Sequence, residues 1–281
     1  MSLAESYAFC ERIARTQAKN FYYSFLLLPA AQRRAMCAIY AFMRYCDDLS
    51  DDDRVSDRAA GIERWKRELE AALSGRGSAH VLWPAFIDTV QRYHIPHKYF
   101  FEMIEGVSSD LQPRQIRNFA ELYDYCYHVA SVVGLTVIHI FGFDSPEALQ
   151  LAEKCGVAFQ LTNIIRDVKE DAEKDRIYLP QEDVARFGVK VEGLRAATVS
   201  SELRDLLAFE AQRARKFYSD SAPLIGMVDR RSRASLHALI GIYSRLLNRI
   251  IDSNYEVLAQ RVRVPAWEKC WILARSVMFN R

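Results

Sequence analysis

Two segments of the chain place aspartates at the same spacing within helix-like sequence. The first contains Asp47 and Asp51, and the second contains Asp167 and Asp171. Residues four apart lie one turn apart on the same face of a helix, so each segment would present a pair of carboxylates. Like charges at this spacing cost a helix roughly 0.2–0.5 kcal/mol unless a cation offsets them. Oxygen-only ligands of this kind suit Mg²⁺, which is commonly held by one or two carboxylates and substrate phosphates.

Other polar residues extend both faces. Tyr40 and Arg44 precede the first pair, and Gln160 and Asn163 precede the second. The residues around them are apolar, which indicates that the faces look into a cavity, where unpaired charge is costly. The pattern therefore predicts a Mg²⁺ cluster that binds diphosphates and neutralises the leaving group as a C–O bond ionises. A solvated acidic face is the alternative, favoured for the first segment taken alone and disfavoured by the second pair.

The elements that must position these faces are predicted to be helices. Helical periodicity covers residues 30–52, 60–73, 119–141, 146–171, 200–220 and 228–259. We expect the 60–73 helix to be solvated and the nearly apolar 119–141 helix to be buried. With eleven Gly and eight Pro, the chain has few residues that interrupt regular structure and no linker rich in them. This predicts an all-α fold, a helical bundle around a central cavity, with residues 1–281 forming a single domain.

Composition limits the partners and the compartment. The 38 basic and 36 acidic residues give a net charge of +2, which argues against nucleic acid as a partner. The six cysteines form no C-x-x-C pair, and the N-terminus is too polar for a signal peptide, so we expect a cytoplasmic protein. The longest near-apolar run, Val132 to Phe143, is too short to span a bilayer. Any membrane contact is therefore expected to be peripheral.

Motifs of other chemistries do not occur. The sequence has no Walker loop, no G-x-G-x-x-G and no H-E-x-x-H, and no Ser, Cys or Lys stands in a setting that marks a nucleophile. Ionisation at a metal cluster is therefore the best-supported chemistry.

Four segments in order resemble the squalene and phytoene synthase family, over roughly residues 5 to 265. They are KNFYYSFLLLP (Lys19 to Pro29), AIYAFMRYCDDLSDD (Ala38 to Asp52), YCYHVASVVG (Tyr125 to Gly134) and QLTNIIRDVKEDAEKDRIYLP (Gln160 to Pro180). The resemblance implies an isoprenoid-synthase type of fold. It also implies Mg²⁺-dependent, head-to-head coupling of two prenyl diphosphates through a cyclopropyl diphosphate.

The resemblance also implies a role for each matching residue. The implied metal ligands are Asp47, Asp51, Asn163, Asp167 and Asp171. Tyr40 and Arg44 join the four aspartates as implied catalytic residues, and the further implied substrate-binding residues are Lys19, Phe21, Phe25, Asp48, Tyr125, Val133, Gln160, Arg166, Arg176, Tyr243 and Arg261. Among these, basic residues would grip the diphosphates and aromatic rings would stabilise cations. The segment from Arg176 to Pro180 would close over the site and exclude water.

Several alternatives remain open at this point. Farnesyl diphosphate is favoured as the substrate, and a phytoene synthase that uses geranylgeranyl diphosphate is the alternative. NADPH would be a cofactor if the product is squalene, whereas proton loss would give phytoene or dehydrosqualene and an early stop would give presqualene diphosphate. Two further alternatives for the function are a terpene cyclase and a non-enzymatic helical binding module with a basic partner. The sequence shows no hydrophobic C-terminal anchor, which predicts a bacterial-type enzyme with peripheral membrane contact for product release.

Overall fold

The computed structural model describes residues 2–18, 21–51, 57–77, 80–111 and 114–279, without the side chains of Ser50, Asp51 and Phe279. It is 76% helical, which confirms the predicted all-α class. In chain order the α-helices are α1 (Leu3–Gln17), α2 (Phe21–Phe25), α3 (Ala30–Asp51), α4 (Arg58–Leu73), α5 (Trp83–Arg92), α6 (Lys98–Ser109), α7 (Phe119–Cys126), α8 (Val132–Phe141), α9 (Glu147–Glu173), α10 (Gln181–Arg186), α11 (Ser201–Ser221), α12 (Leu224–Met227), α13 (Arg230–Asp252) and α14 (Ala266–Phe279).

Short elements of other kinds connect these helices. A π-helical turn, Tyr127–Ser131, makes α7 and α8 one continuous helix, and a 3₁₀ turn spans Val191–Arg195. Strands β1 (Arg114–Gln115) and β2 (Arg176–Ile177) pair in parallel, with Arg114 opposite Arg176.

Most predicted helices occur near their expected bounds, and the differences have local causes. The predicted 228–259 helix ends at Asp252, because Asn254 and Tyr255 have φ values of 55° and 61°, outside the helical region. Helix α4 was expected to be solvated, but it buries Trp65 and Leu69 on one face. Helix α14 was not among the predicted elements.

An aromatic cluster fixes the orientation of α3. The ring of Phe42, on the back of the helix, lies 4.7 Å from Phe86, 5.5 Å from Phe100 and 5.9 Å from Trp65, measured between ring centroids. Such pairs add roughly 0.5–1.5 kcal/mol each beyond the burial of their area. Because this face is packed, the opposite face of α3, with Tyr40 and Asp47, looks into a cavity.

The continuous helix Phe119–Phe141 is held by close backbone contacts at its π turn. A Cβ atom at Gly156 on α9 would lie 2.5 Å from Ser131 Cα, and one at Gly106 on α6 would lie 2.9 Å from the His128 backbone. Side chains are therefore excluded where these helices cross the turn. Single π turns inside α-helices are frequent at functional sites.

The helix Phe119–Phe141 also concerns the expectation that the longest apolar run is too short to span a bilayer. Among the described residues, it is the one helix long and apolar enough to cross a membrane by length and composition. The apolar run from Val132 to Phe143 overlaps this longer, 23-residue segment, which begins at Phe119. Since 56% of its most apolar window is buried inside the protein, it also fits a core helix, and this observation alone is weak evidence for a membrane span.

Helices α9 and α13 form the other long walls of the cavity. The back of α9 packs on α11 through Leu161, Ile165 and Val168, which belong to one buried core with Leu203 and Leu207. Helix α13 packs against α9 on one side and α14 on the other. Each wall helix thus turns one face to the cavity and rests its other face on a further layer.

Candidate active site

A cavity of about 350 Å³ lies between α2, α3, α8, α9 and α13 and brings most of the predicted site residues together. Those that line it are Phe21, Phe25, Tyr40, Arg44, Asp47, Tyr125, Val133, Gln160, Asn163, Arg176 and Tyr243. Asp48, Arg166, Asp167, Asp171 and Arg261 lie outside this lining. Lys19 and the side chain of Asp51 fall outside the described residues.

The cavity has a polar end and an apolar end. Asp47 and Asn163 lie toward the C-terminal ends of α3 and α9, whereas Met36 and Ala152 line the cavity eleven residues earlier on the same helices. At 1.5 Å of rise per residue, this offset is about 16 Å. Such a gradient fits a ligand with a charged head and a long apolar tail.

On the α3 wall, Arg44 divides the neighbouring aspartates. Its Nη2 lies 2.5 Å from Asp48 Oδ1, one turn away, and the Asp48 side chain is 47% exposed. Asp47 lines the cavity instead. The Arg44 Nε atom is buried without a hydrogen-bond partner within the described part of the chain. The structure thus separates a cavity carboxylate from a surface one.

On the α9 wall, Asn163 has an unused acceptor. Its Nδ2 donates to Gln160 Oε1 at 3.3 Å, while its Oδ1 is buried and unpaired among the residues that the structure describes. A buried acceptor without a donor costs about 1–3 kcal/mol, so such an atom calls for a donor or a cation. This oxygen fits a metal or ligand contact.

Asp167 is clamped by two arginines. Arg166 donates to both of its oxygens, with Nε 2.7 Å from Oδ1. Arg261 Nε lies 2.9 Å from Oδ1, its Nη2 donates to Oδ2 at 3.0 Å, and its Nη1 lies 3.2 Å from Glu170 Oε2. The structure therefore brings Arg261, remote in sequence, to the second aspartate pair.

Asp171 has a different environment. Burial, together with the charges of Asp167 and Glu170, raises the pKa of Asp171 to about 7, against the opposing effect of Arg176. Asp171 and Arg176 line a small space next to the main cavity, and Arg176 also lines the main cavity. Arg176 thus connects Asp171 to the polar end, and the crowded negative charge favours a bound cation there.

The donor set is compatible with Mg²⁺ but incomplete by itself. Within the described residues, no group of three His, Cys, Asp or Glu side chains is gathered at one point. Asp47, Asn163 and Asp171 supply oxygen atoms at or beside the polar end. Mg²⁺ usually completes its coordination with water and substrate phosphate oxygens, so these residues fit the ion in the presence of a diphosphate.

An aromatic group lies between the polar and apolar ends, and one member was not predicted. Phe159 stacks on Tyr243 with ring centroids 4.3 Å apart and an interplanar angle of 10°. Phe21 lies 5.5 Å from Tyr243 and 6.5 Å from Tyr40. Burial raises the pKa of both tyrosines to about 12, so both stay neutral. Phe159 directly precedes Gln160 on α9. This position beside the polar face was the signal from which its place in the site could have been predicted.

A second unpredicted residue is Asp110, just after α6. Its carboxylate accepts hydrogen bonds from the hydroxyls of Tyr125 at 2.9 Å and Tyr178 at 2.8 Å, whose rings stack 4.6 Å apart. Burial raises the pKa of Asp110 despite both hydrogen bonds, and the residue lines the cavity. This contact, with the β1–β2 pair, ties the segment from Arg176 to Pro180 to the cavity wall. Asp110 and Tyr178 are 68 positions apart in the chain, and no local sequence pattern signals a contact between residues so far apart.

Comparison with known proteins identifies the family. The family model described as squalene/phytoene synthase matches residues 14–268. This chain belongs to the squalene/phytoene synthase family. The chain is 35% identical to the 15-cis-phytoene synthase of Synechococcus elongatus, covering 95% of this chain and 91% of that protein. It is 35% identical to the chloroplastic phytoene synthase 1 of Arabidopsis thaliana, covering 98% of this chain and 68% of that protein.

Solved structures give the fold. A crystal structure of a dehydrosqualene synthase with a ligand matches with a TM-score of 0.92 and 30% identity, covering 99% of this chain and 97% of that chain. The predicted isoprenoid-synthase fold is thus confirmed. As a member of the squalene/phytoene synthase family, the protein is a prenyltransferase whose family condenses prenyl diphosphates head to head. The predicted preference for farnesyl diphosphate is not confirmed, because these relatives favour the phytoene synthase alternative.

Proposed function

We propose that this protein is a phytoene synthase, which joins two geranylgeranyl diphosphates head to head through a cyclopropyl diphosphate. The observation that carries the proposal is the 35% identity, over nearly the whole chain, to phytoene synthases of a cyanobacterium and a plant. The polar-to-apolar gradient of the cavity supports a substrate with a diphosphate head and a long tail. We further propose that residues 1–281 act as one catalytic domain.

The polar end is proposed to hold the diphosphates. Mg²⁺, held by the diphosphates and by Asp47, Asp51, Asn163, Asp167 and Asp171, would supply neutralisation of the leaving group. Arg44, Arg176 and Lys19 are proposed to bind diphosphate oxygens, and Arg176 lines the polar end. Arg166 and Arg261 now contact Asp167, and we propose that they also turn donors to the incoming phosphate. Asp48 is proposed to hold Arg44 in place.

The aromatic group is proposed to stabilise the carbocations formed after ionisation. The ring faces of Phe21, Tyr40, Phe159 and Tyr243 border the space just inside the polar end. A cation over such a face gains roughly 0.5–2 kcal/mol, and more when water is absent. Both tyrosines stay neutral phenols, so neither presents a phenolate, the more reactive nucleophile, to the cation.

The remaining walls are proposed to exclude water and to hold the tails. Asp110, Tyr125 and Tyr178 keep the Arg176 to Pro180 segment against the cavity. Phe25, Val133 and Leu236 line the apolar part, where the prenyl tails would lie. Loss of a proton completes phytoene, so the proposed reaction needs no NADPH. We propose that the reaction takes place in the cytoplasm, with peripheral membrane contact for release of an apolar product.

Product analysis tests the proposal directly. The protein is incubated with Mg²⁺ and either geranylgeranyl or farnesyl diphosphate, with and without NADPH, and the extract is analysed by gas chromatography–mass spectrometry. We expect a C40 hydrocarbon from geranylgeranyl diphosphate, independent of NADPH and lost on chelation of the metal. Squalene formed only with NADPH would contradict the product assignment. No coupled product from either substrate would favour a cyclase or a binding module.

Dehydrosqualene synthesis from farnesyl diphosphate is the second candidate. It is favoured by the likeness, at a TM-score of 0.92, to the dehydrosqualene synthase structure. A C30 hydrocarbon formed without NADPH, in preference to a C40 product, would establish it.

Substitution at the apolar end separates these two candidates. Ala152 is buried and lines that end, so Ala152→Leu would shorten the space for a tail. We expect turnover of geranylgeranyl diphosphate to fall by about tenfold or more relative to farnesyl diphosphate. Substitution of the exposed Ala259 by Leu is the matched control. An unchanged ratio of the two turnovers would place the tail elsewhere.

A further inference from the structure

Helix α14 turns several polar residues toward the inside of the protein. Glu268 is 6% exposed and accepts from Arg245 Nε at 2.6 Å and Arg249 Nη1 at 2.7 Å, both on α13. Ser276 is fully buried, with its hydroxyl 2.8 Å from His237 Nδ1. A surface helix normally packs its apolar face inward. These contacts instead fix α14 antiparallel to α13 through ion pairs and hydrogen bonds.

The outward side of α14 is apolar. Trp267 is 70% exposed, Trp271 60% and Met278 67%, and these residues lie with Ala274 on one helical stripe. The exposed residues Trp267, Cys270, Trp271, Ala274, Val277 and Met278 are called here the α14 outer face. Contiguous exposed apolar residues of this size mark an interaction surface. The contacts with α13 hold this face toward the outside of the protein.

The C-terminal part of the chain that includes α14 is basic. Residues 230–281 contain ten Lys and Arg against three Asp and Glu, a net of +7 in a chain whose total is +2. The balanced total charge therefore hides an uneven distribution. Arg263 is exposed four residues before Trp267 in the chain, and Arg275 is exposed on α14 with its guanidinium 5.5 Å from the Trp271 ring. A partner for this face should carry negative charge.

The α14 outer face lies one layer away from the cavity. Tyr23 and Leu27, on and just after α2, pack against Ile272 of α14 and its neighbours. Phe21 and Phe25, on the same short helix, line the cavity. Helix α2 thus separates the α14 outer face from the space proposed for the prenyl tails.

We propose that the α14 outer face docks the protein on the surface of an anionic lipid bilayer. Tryptophans concentrate at membrane–water interfaces, and a short amphipathic helix with basic residues lies in that plane. Each Lys or Arg near an anionic leaflet adds about 1 kcal/mol of attraction. A second copy of this chain is disfavoured as the occupant, because two faces of like net charge repel. The inference stands without the proposed reaction, although an apolar product gives docking a purpose.

Vesicle binding tests the proposal with the intact protein and no substrate. We expect co-flotation with vesicles of phosphatidylcholine and phosphatidylglycerol, weaker binding to phosphatidylcholine alone, and loss of the difference at high salt. Trp65 and Trp83 are buried, with 3% and 2% exposure. Quenching of fluorescence by lipids brominated on their acyl chains should therefore report on Trp267 and Trp271.

Substitutions on the α14 outer face test whether this face is the one that binds the vesicles. Trp267→Ser with Trp271→Ser should lower the vesicle partition coefficient on the order of tenfold or more. Arg263→Gln with Arg275→Gln should lower it by about fivefold per charge, and only on anionic vesicles. Leu3→Ser, at another exposed apolar side chain, is the matched control. All variants should keep the wild-type circular dichroism and the wild-type activity in detergent.

Three results would overturn the proposal: no binding of the wild-type protein to anionic vesicles, equal binding of the tryptophan variant, or a wild-type dimer that the tryptophan variant converts to a monomer. The last result would assign the face to a second copy. Coupling activity in detergent is measured separately, so failure of docking is distinguishable from failure of the proposed function.

Discussion

At the scale of single residues, equal spacing hides unequal environments. Asp167 and Asp171 are one turn apart, yet Asp167 is held by two arginines. Burial and the neighbouring negative charges instead raise the pKa of Asp171 to about 7. Asp47 and Asp48 are adjacent, yet one lines the cavity and the other pairs with Arg44 at the surface. The charge of each carboxylate is thus balanced in a different way.

Asp47→Asn is expected to abolish most of the turnover while the helical content stays unchanged. The substitution removes a negative oxygen from the cavity wall, and loss of one such electrostatic contact typically costs about 10²–10³-fold in rate. Initial rates of coupled product at saturating Mg²⁺, together with circular dichroism, measure both effects. Asp205→Asn, at an exposed aspartate on α11, should keep the wild-type rate. Near-full activity of Asp47→Asn would remove this residue from the proposed metal site.

At the scale of elements, a few long-range contacts hold the segment from Arg176 to Pro180. Asp110 bonds the Tyr178 hydroxyl of that segment, and β2 pairs with β1. The segment resembles a family motif, but its contacts come from residues more than sixty positions earlier in the chain. Its proposed role of excluding water depends on those contacts.

Tyr178→Phe is expected to loosen this segment. A hydrogen bond to a buried carboxylate is lost, which costs about 1–3 kcal/mol and lowers the melting temperature by several degrees. If the segment excludes water, more of the cation should be captured as prenyl alcohol. The ratio of alcohol to coupled hydrocarbon measures this, with Tyr45→Phe at an exposed tyrosine as control. A lower melting temperature with an unchanged ratio would leave the segment a purely structural role.

The π turn Tyr127–Ser131 depends on small residues in its neighbours. Gly106→Ala would place a Cβ atom 2.9 Å from the His128 backbone, which cannot move aside cheaply. We expect destabilisation of about 1–3 kcal/mol in chemical denaturation. At Gly226 a Cβ atom meets nothing within 4 Å, so Gly226→Ala is the matched control and should be near neutral. Equal stability of both variants would show that α6 shifts freely against the turn.

At the scale of the whole molecule, a buried acidic pair makes stability depend on pH. Glu210 and Asp183 are both buried and share Arg213, whose Nη1 lies 2.7 Å from Glu210 Oε1 and 3.0 Å from Asp183 Oδ2. Burial raises the pKa of Glu210 to about 7, against the effect of Arg213. The folded state therefore holds a proton that the unfolded chain releases near pH 4.5.

The sign of the effect follows from the raised pKa. The contribution of Glu210 to stability is fully present below pH 4.5 and is lost as the pH rises toward about 7. We expect Glu210→Gln to flatten the decline of unfolding free energy in this window, measured by denaturant unfolding at each pH. Glu63→Gln, at an exposed glutamate, should leave the wild-type slope. Asp171 is present in the wild-type protein and in both variants, so its own pH-dependent contribution to stability cancels when the three slopes are compared. A steeper slope in Glu210→Gln would contradict the assignment.

The sequence by itself determined the helical class, most helix positions and the polar faces of α3 and α9. These follow from local causes: the 3.6-residue period, Pro29 and Ser145 at helix starts, and residues one turn apart on one face. The family resemblance added site residues on other elements, and eleven of the predicted site residues line one cavity.

Tertiary structure decided which atoms meet. Arg261 reaches Asp167, Asp110 binds Tyr178, and Phe159 stacks on Tyr243 across long sequence separations, and no local pattern encodes such contacts. Helix α14 shows the same limit most clearly. Its sequence is amphipathic, but contacts with α13, among them the ion pairs of Glu268, decide that the face of this residue points inward and the tryptophans outward. Periodicity gives a helix two faces, and the packing of its neighbours decides which one is buried.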